Sequence, residues 1–466
     1  MPLLVSVNGR CPYLRCIYIV ESEPTESTSP RMEEVDNRAR IPYTSLHEFM
    51  NLLSPQTSIA PDSAQPWRTT LSVMFAAQLL SIVGFAFSLP FLPFYIRELG
   101  VTEERMVPYW AGILAASASL VMVFFSPLWG WVADRYGRKL MVERAMFAGA
   151  VITFAMGLVE NVRQLLGLRI LSGAMTGTIP ASIALVSTAI PKANLGFALG
   201  LMQVAVFLGM TLGPWIGGLL ADAIGYRITF MSGGAVLLVG GLLVLAGARE
   251  RFSRPAETPS QKSDGMISLL RYRGFPAMLV LFFFFNCSVH FVVPVLPLFI
   301  ETLCEPGCAD VASTTGMLLA VSGGMAALSA GGIGYLSDRI GYKPILTASL
   351  VLATACLVSH GLAQSIAHLV WLRIFYGLAV GGILPTMNAL VGQLVPPPNY
   401  GKAYGLASSM ICLGMAAGPY LGGIMASAWG YRWPFAVVGV IVALSFPILA
   451  LVRAPGATSS PKNPGR

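Results

Sequence analysis

Twelve apolar runs dominate the sequence, and each is about as long as a helix that crosses a lipid bilayer. Because backbone amides in lipid must be hydrogen-bonded internally, such runs can form only helices or a closed barrel. The runs do not alternate polar and apolar residues, which argues against a barrel. They predict an all-α polytopic membrane protein with spans 1 to 12 at 71–95, 107–131, 140–160, 163–189, 195–221, 227–248, 275–300, 314–335, 344–363, 367–391, 401–426 and 432–453.

The composition agrees with a chain whose surface is largely covered by lipid. Only 11% of the 466 residues are charged and 55% are hydrophobic, whereas a soluble domain has about a quarter of its residues charged. Residues 1–66 differ, because the segment from Glu21 to Pro66 is rich in Glu, Ser, Thr and Pro and has no sustained periodicity. We therefore predict a disordered cytoplasmic tail there.

The basic residues are distributed unequally between the two faces that alternating spans would create. With the N-terminal tail in the cytoplasm, that side carries all six lysines. The other side carries five arginines: Arg97, Arg105, Arg163, Arg227 and Arg432. This positive-inside bias predicts that both termini are cytoplasmic. The net charge of +8 is then a topological signal with anionic lipid as its partner, and nucleic acid is not expected.

The second half of the chain repeats the first at an offset of 204 or 205 residues. Matched positions include Pro90 with Pro294, Asp134 with Asp338, Arg169 with Arg373, Gly209 with Gly414 and Gly225 with Gly430. Because each half has an even number of spans, both halves share one orientation. This predicts six-helix bundles at 67–248 and 274–453, a cytoplasmic linker at 249–273 and a C-terminal tail at 454–466. A substrate site is expected between the bundles near the midplane.

The repeated motifs resemble those of the major facilitator superfamily, and more narrowly its twelve-span drug/proton antiporter branch, over about residues 70–453. The family signature between the second and third spans is similar to Gly130-Trp-Val-Ala-Asp134-Arg135-Tyr-Gly137-Arg138-Lys139. The fifth-span motif of its antiporters is similar to Gly209-x-x-x-Gly213-Pro214-x-x-Gly217-Gly218. The resemblance implies two pseudo-symmetric six-helix bundles and a secondary active exporter.

The first of these motifs, which we call the loop motif, is expected to act as a conformational latch. Its glycines permit a tight turn, and Asp134 is expected beside a helix N-terminus of the other half, near Lys402, where the macrodipole favours an anion. Arg135, Arg138 and Lys139 would hold the loop and face anionic headgroups. The repeat supplies an equivalent set: Asp338, Arg339 and Lys343. The alternative is that these charges only carry the positive-inside bias.

The fifth-span motif places small residues on one helix face, so that helices can approach closely, and Pro214 permits bending. Charged groups inside spans are costly and are functional by default. Arg169, in a segment that resembles the fourth-span motif of the family, is therefore predicted to face a cavity or a partner. Its alternative is snorkelling beside Glu160. For Arg373, a transport role and structural anchoring are equally open.

His290 lies deep in span 7 and is a candidate proton carrier, because imidazole titrates in the physiological range. Its alternative is a hydrogen-bonded histidine that lines the cavity. The other polar candidates for the transport path are Gln78, Gln203, Asn286 and Asn388. Many cation exporters of the family have a carboxylate deep in the first or fourth span, and none is visible here. That departure favours neutral, zwitterionic or anionic substrates.

We therefore predict a proton-coupled exporter of small amphiphilic drugs or metabolites that works by alternating access as a monomer in the inner or plasma membrane. Its energy would come from the proton gradient, and no cofactor, metal or catalytic residue is expected. The alternatives are a carrier for metabolites or organic anions and a non-transporting receptor or lipid scramblase. Cys304 and Cys308 flank a turn where a disulfide and free thiols are equally open.

Overall fold

The computed structural model describes residues 66–88, 90–191, 194–250, 266–304, 310–396 and 399–452. For eight residues inside helices only the backbone is described: Pro66, Asp134, Met266, Ile267, Gly331, Gly334, Asp338 and Gly401. Nearly all of the two predicted tails, most of the predicted linker and Cys308 also lie outside the described residues. The predictions made for them are therefore not tested by the structure.

All regular secondary structure in the described ranges is helical, which confirms the all-α fold class. Seven predicted spans are single helices: Met106–Tyr136 (span 2), Arg138–Met156 (span 3), Leu195–Ile224 (span 5), Tyr226–Gly247 (span 6), Val311–Ile340 (span 8), Tyr342–Gly361 (span 9) and Tyr400–Trp429 (span 11). Five are broken into two helices: Pro66–Ala86 and Leu92–Glu98 (span 1), Val162–Met175 and Thr178–Ala189 (span 4), Phe275–Phe291 and Leu296–Leu303 (span 7), Ile366–Gly381 and Ile383–Leu394 (span 10), and Trp433–Ala443 and Ser445–Leu451 (span 12). A 3-10 helix, Met266–Arg271, precedes span 7.

A proline lies within or shortly after each break. Pro90 and Pro294 lie within the breaks of spans 1 and 7. In spans 4, 10 and 12 the proline follows the break and is Pro180, Pro385 or Pro447. A proline ring clashes with the carbonyl four residues earlier and removes one helical hydrogen bond, so the helix ends at or next to that carbonyl.

Eleven helical segments of the described chain are long and apolar enough to cross a membrane. The twelfth predicted span, span 3, is helical as expected, but its first two turns contain four charged residues: Arg138, Lys139, Glu143 and Arg144. Its remaining apolar length is therefore short for a bilayer core of about 30 Å. The charged turns of this helix are suited to the headgroup region rather than to the hydrocarbon.

The helix packing repeats between the two halves. In the first half, span 1 packs on spans 5 and 6, span 3 on spans 4 and 6, and span 2 on span 4. In the second half, span 7 packs on spans 11 and 12, span 9 on spans 10 and 12, and span 8 on span 10. The halves contact each other mainly through spans 5 and 8 and spans 2 and 11. Exchanging the halves turns the contact between spans 5 and 8 into the contact between spans 11 and 2, as a pseudo-two-fold axis requires.

Single glycines connect several consecutive spans. Gly137 joins spans 2 and 3 with a φ of 102°, and Gly341 joins spans 8 and 9 with the same φ. This left-handed region favours glycine because it has no Cβ. Gly130, which the sequence suggested for the turn, lies instead inside span 2, because the helix continues to Tyr136.

Candidate functional site

The helix directions define two faces. Because the spans alternate in direction, the turns at Gly137 and Gly341 lie at the same face as both ends of the described chain, and we call it the motif face. The loop 99–105 between spans 1 and 2 lies at the other face, which we call the opposite face. These two names describe helix direction only.

The two halves pack most tightly near the opposite face. Close backbone approaches between them lie in the opposite-face part of the four contacting spans: Gly218 on Ala312, Gly316 on Pro214, Gly112 on Pro419 and Gly423 on Pro108. Nearer the motif face, several glycines of the same spans have open space beside them, so that an added Cβ would contact no atom. They are Gly130, Gly196, Gly200, Gly332 and Gly405. The described conformer is therefore closed at the opposite face.

An ion pair also joins the halves there. Arg97 Nη1 lies 2.8 Å from Glu301 Oε1, and the two residues are 204 positions apart, so they occupy equivalent places in the repeat. Arg97 Nη2 lies 2.9 Å from Glu104 Oε2. Burial and the carboxylates of Glu104 and Glu301 raise the pKa of the Tyr431 hydroxyl in the same cluster, and Arg97 opposes this shift. The sequence analysis had placed Arg97 only among the five arginines of one face and had predicted no partner for it.

A second polar contact between the halves caps a helix. Asp222 Oδ2, near the end of span 5, accepts a hydrogen bond of 2.7 Å from the backbone N–H of Ser313 in the first turn of span 8. An anion at a helix N-terminus is stabilised by unpaired N–H groups and the macrodipole. The sequence suggested this kind of contact for Asp134 at the motif face. The side chain of Asp134 is outside the described residues, so that latch remains a prediction.

The lysine of the loop motif has the same role in both halves. Lys139 Nζ donates to the carbonyl of Leu245, at the end of span 6, over 3.0 Å. Lys343 Nζ donates to the carbonyls of Ala450 and Val452, at the end of span 12, over 3.4 and 3.0 Å. A cation at the C-terminal end of a helix is stabilised by the macrodipole. Each lysine therefore links the start of the third span of its half to the end of the sixth span.

The motif arginines are also repeated. The Arg135 guanidinium lies 5.6 Å from the centre of the Trp131 ring, and that of Arg339 lies 4.6 Å from the Tyr335 ring. Stacking one turn back along the same helix fixes each arginine at the motif face. The described contacts of these arginines lie within their own halves.

Glu250 binds the loop motif of the first half, and the sequence analysis did not identify it. Its carboxylate accepts hydrogen bonds from the backbone N–H groups of Arg138 and Lys139, over 2.9 and 2.8 Å. Arg138 Nη1 donates to the carbonyl of Ala184 in span 4 over 3.1 Å. Glu250 thus supplies the N-terminal cap of span 3 from the start of the predicted linker.

The fifth-span motif uses two faces of its helix. Three glycines pack on span 1: Gly209 on Ile82, Gly213 on Ala86 and Gly217 on Phe87. Gly218, about 100° further around the helix, packs on Ala312 of the other half. Pro214 lies within the helix without breaking it, and its carbonyl packs on Gly316 of the other half. One motif therefore serves both the internal packing of its half and the contact between halves.

A cavity of about 150 Å³ lies between spans 1, 4 and 5. It brings together Gln78 and Gln203, two of the residues predicted for the transport path. The rest of its wall is apolar: Ile179, Ile183, Leu199, Met202 and Val206. The Gln78 side chain is buried, and neither its amide oxygen nor its amide nitrogen has a hydrogen-bond partner among the described residues.

Arg169 and Arg373 do not line this cavity. Arg169 is half-buried in span 4, and its Nε is buried without a hydrogen-bond partner in the described chain. Arg373 is 5% exposed, and its guanidinium lies 5.8 Å from the ring of Tyr376. The Tyr376 ring in turn contacts that of His360, with 6.2 Å between ring centres. This aromatic setting in the second half favours structural anchoring for Arg373.

His290 is half-buried in span 7 and its tautomer follows from its partner. Nδ1 lies 3.0 Å from the Asn286 carbonyl oxygen, which can only accept, so Nδ1 holds the ring proton and Nε2 keeps a lone pair. The Asn286 amide donates to the Phe282 carbonyl over 2.9 Å. Asn388 is half-buried in span 10, where its backbone carbonyl accepts a hydrogen bond of 3.0 Å from the Tyr404 hydroxyl. The structure does not bring these residues to the cavity that contains Gln78.

Spans 2, 3 and 4 share a further contact that the sequence analysis missed. The Arg144 guanidinium lies 3.5 Å from the centre of the Trp129 ring, and Trp129 Nε1 donates to the Ala174 carbonyl over 2.6 Å. Ala174 is next to the break in span 4. The signal was available, because Arg144 is a charge about one turn inside a predicted span, which is uncommon without a partner.

Comparison with known proteins agrees with this architecture. The sequence profile of the Major Facilitator Superfamily matches residues 74–329 and 310–466. The multidrug resistance protein MdtG of Enterobacter lignolyticus (strain SCF1) is 32% identical over 405 residues, which cover 86% of this chain and 96% of the relative. MdtG of Klebsiella pneumoniae (strain 342) is 31% identical over 406 residues, covering 86% and 98%.

Solved structures show the same fold at low sequence identity. An inward-facing, occupied bacterial homologue of the human lysosomal transporter Spinster superposes with a TM-score of 0.70 and 15% identity, over 84% of this chain and 97% of its own. The nucleoside transporter NupG gives a TM-score of 0.66 and 16% identity, over 82% of this chain and 99% of its own.

Proposed function

The chain belongs to the major facilitator superfamily, and on this basis we propose that it exports small amphiphilic molecules, drugs among them, in exchange for protons. The observation that carries the proposal is the extended similarity to multidrug resistance proteins, which covers 86% of this chain and nearly all of the relatives. The chain is a transporter and not an enzyme, and its membrane helices cross the bilayer many times.

Alternating access follows from the way the halves meet. We take the six-helix bundles at 67–248 and 274–453 as the moving bodies. To open the opposite face, the bundles must separate the glycine contacts of spans 5 and 8, the Asp222 cap and the Arg97–Glu301 pair. The loop motif at the motif face would then latch the alternative conformer. Exchanging the contacts at the opposite face for the latch at the motif face would give the two conformers that alternating access needs.

The basic bias supports a cytoplasmic motif face and cytoplasmic termini. The relatives support the inner membrane of a bacterial cell as the location. In this orientation the described conformer is closed to the outside, which is the state that would take up substrate from the cell. We further propose that the monomer is the working unit, with membrane lipid as its surroundings, and that the proton gradient is its energy source without a cofactor.

His290 is the proposed proton carrier. Its Nδ1–H is held by the Asn286 carbonyl, so a proton can add only at Nε2. Protonation there converts a neutral ring into a cation inside a span, which is costly and would favour a conformer that gives the ring water or a substrate acceptor. A proton taken up outside and lost inside would thereby drive substrate outward.

Everted membrane vesicles test this function. With an imposed pH gradient, acid inside, they should accumulate amphiphilic drugs, and a protonophore should abolish accumulation. His290→Gln should remove the dependence on the gradient while leaving substrate binding in place. His368→Gln, at an exposed histidine at the start of span 10, is the matched control and should behave as wild type. Gradient-independent flux in wild type, or unchanged coupling in His290→Gln, would contradict the proposed mechanism.

A further inference from the structure

The cavity between spans 1, 4 and 5 is lined by a glutamine whose buried amide has no hydrogen-bond partner among the described residues. Gln78 is 1% exposed, and both its Nε2 and its Oε1 lack a hydrogen-bond partner among the described residues. A buried amide left unpaired is costly, and most buried polar groups in folded proteins are paired. Gln78 is among the residues that line the cavity, so a group that enters it comes next to an amide whose donor and acceptor are both unpaired.

The surrounding contacts fix the position of this amide. Ser81, one turn along span 1, donates to the Thr178 hydroxyl of span 4 over 2.9 Å. This buried bond sets the register of two antiparallel helices, so Gln78 and Ser182 lie at the same level, each one turn from the bonded pair. The Ser182 hydroxyl is also fully buried without a partner in the described chain. Two unpaired polar groups therefore lie at one level of the packed helices, and Gln78 is the one that lines the cavity.

The wall limits the chemistry that can bind. None of its seven residues carries an ionisable side chain, and five are apolar. A charged group placed there would lose its hydration without gaining a counter-charge, at a large cost in free energy. A neutral group that offers a donor and an acceptor side by side would pair with both ends of the Gln78 amide. Such groups are carboxamides, lactams, imides and carbamates.

The size of the cavity sets how much of a ligand it can hold. A dry pocket of about this volume accommodates a benzene-sized body. The polar end of an amphiphile therefore fits, and Met202 offers an adaptable contact to its apolar part. Gln203, exposed at the rim, is available for a second polar group.

We propose that the cavity at Gln78 is a recognition subsite for the uncharged, amide-like group of a transported amphiphile. This inference rests on the proposed export function and adds the class of substrate. It also predicts the effect of a carboxylate at this position, which would select cationic groups in place of amides.

Three probes that share one ring system test the subsite: naphthamide, naphthylmethylammonium and naphthoate. Their binding to the purified full chain in detergent is measured by calorimetry without a pH gradient. Wild type should bind naphthamide about tenfold more tightly than either charged probe. Gln78→Met should lose that preference and also melt at a higher temperature, because it removes an unpaired buried amide. Gln78→Glu should bind the ammonium probe about tenfold more tightly than wild type does.

The outcomes separate this inference from the proposed function. Gln364→Met, in an exposed loop, is the control and should keep the wild-type preference. Equal binding of all three probes by wild type, as water in the cavity would give, or an unchanged preference in Gln78→Met, overturns the subsite even if drug export is intact. Selective binding of naphthamide without any gradient-driven transport would uphold the subsite and refute export.

Discussion

Replacing Gly218 by alanine should open the opposite face of this transporter. Gly218 packs on the backbone of Ala312, and an added methyl carbon would lie 2.8 Å from both the Ala312 carbonyl carbon and the Ser313 Cα. Ordinary carbon contacts are about 3.5–4.0 Å, so spans 5 and 8 would have to separate by about 1 Å. Because the obstacle is backbone, no side-chain rotation can relieve the clash.

The expected magnitude follows from the cost of overpacking. An extra methyl in a well-packed contact destabilises it by about 1–3 kcal/mol. The proposed rocking motion breaks this contact when the opposite face opens, so this cost would change the ratio of the two conformers by about 5- to 150-fold. The gain in helix propensity from glycine to alanine applies to both conformers equally and does not alter their ratio.

Distances between spin labels at Thr102 and Gln364, exposed in opposite-face loops of the two halves, report the change. In a background with the native cysteines replaced, Gly218→Ala should increase the population with the longer distance. Gly200→Ala, in the same helix where a methyl contacts no atom, is the matched control and should leave the distribution unchanged. An unchanged distribution in Gly218→Ala, or an equal shift in both variants, would refute the assignment of this contact to one conformer.

Two further predictions concern charges that the structure pairs. Arg97→Glu should favour opening of the opposite face. Adding Glu301→Arg should return the distance distribution part of the way to wild type, because the exchange rebuilds the pair between the halves but removes Arg97 from Glu104. With the Arg97 and Glu301 side chains 27% and 39% exposed, the coupling energy from a double-mutant cycle should be about 0.5–1 kcal/mol. Glu250→Gln removes the anionic cap of span 3 and should lower stability by about 0.5–2 kcal/mol in thermal unfolding, whereas Glu103→Gln, at an exposed loop residue, should not. Loss of the coupling on charge exchange, or equal melting of the two glutamine variants, would contradict these contacts.

Much of the fold could be predicted because lipid imposes local rules. A span needs a given length of apolar sequence and closes its own backbone hydrogen bonds, so the helices are visible one at a time. The repeat at 204 or 205 residues then predicted that the two halves would be built alike, as their packing shows. The breaks lie at prolines such as Pro180 and Pro385, whose effect on the preceding turn is also local. Pro214 and Pro419 lie inside unbroken helices, so a proline alone does not determine a break.

The site was less accessible to sequence reasoning. Gln78 and Gln203 were predicted as polar residues on the transport path, but only the structure shows that they share a cavity. Arg169 and Arg373 carried the same local signal as Gln78, a polar group inside a span, yet neither lines the cavity. A polar residue in a span indicates that a partner or a cavity is needed, and it does not identify which.

The order of residues along the chain was enough to establish the class of protein, the number and order of its spans and the equivalence of its halves. Three-dimensional packing was needed to show that Gly217 packs within its half while Gly218 packs across to the other, and that Arg97 pairs with Glu301. The physical reason is that span formation depends on neighbours along the chain. Contacts between spans depend on the rotation of each helix, where one residue turns the contact face by about 100°.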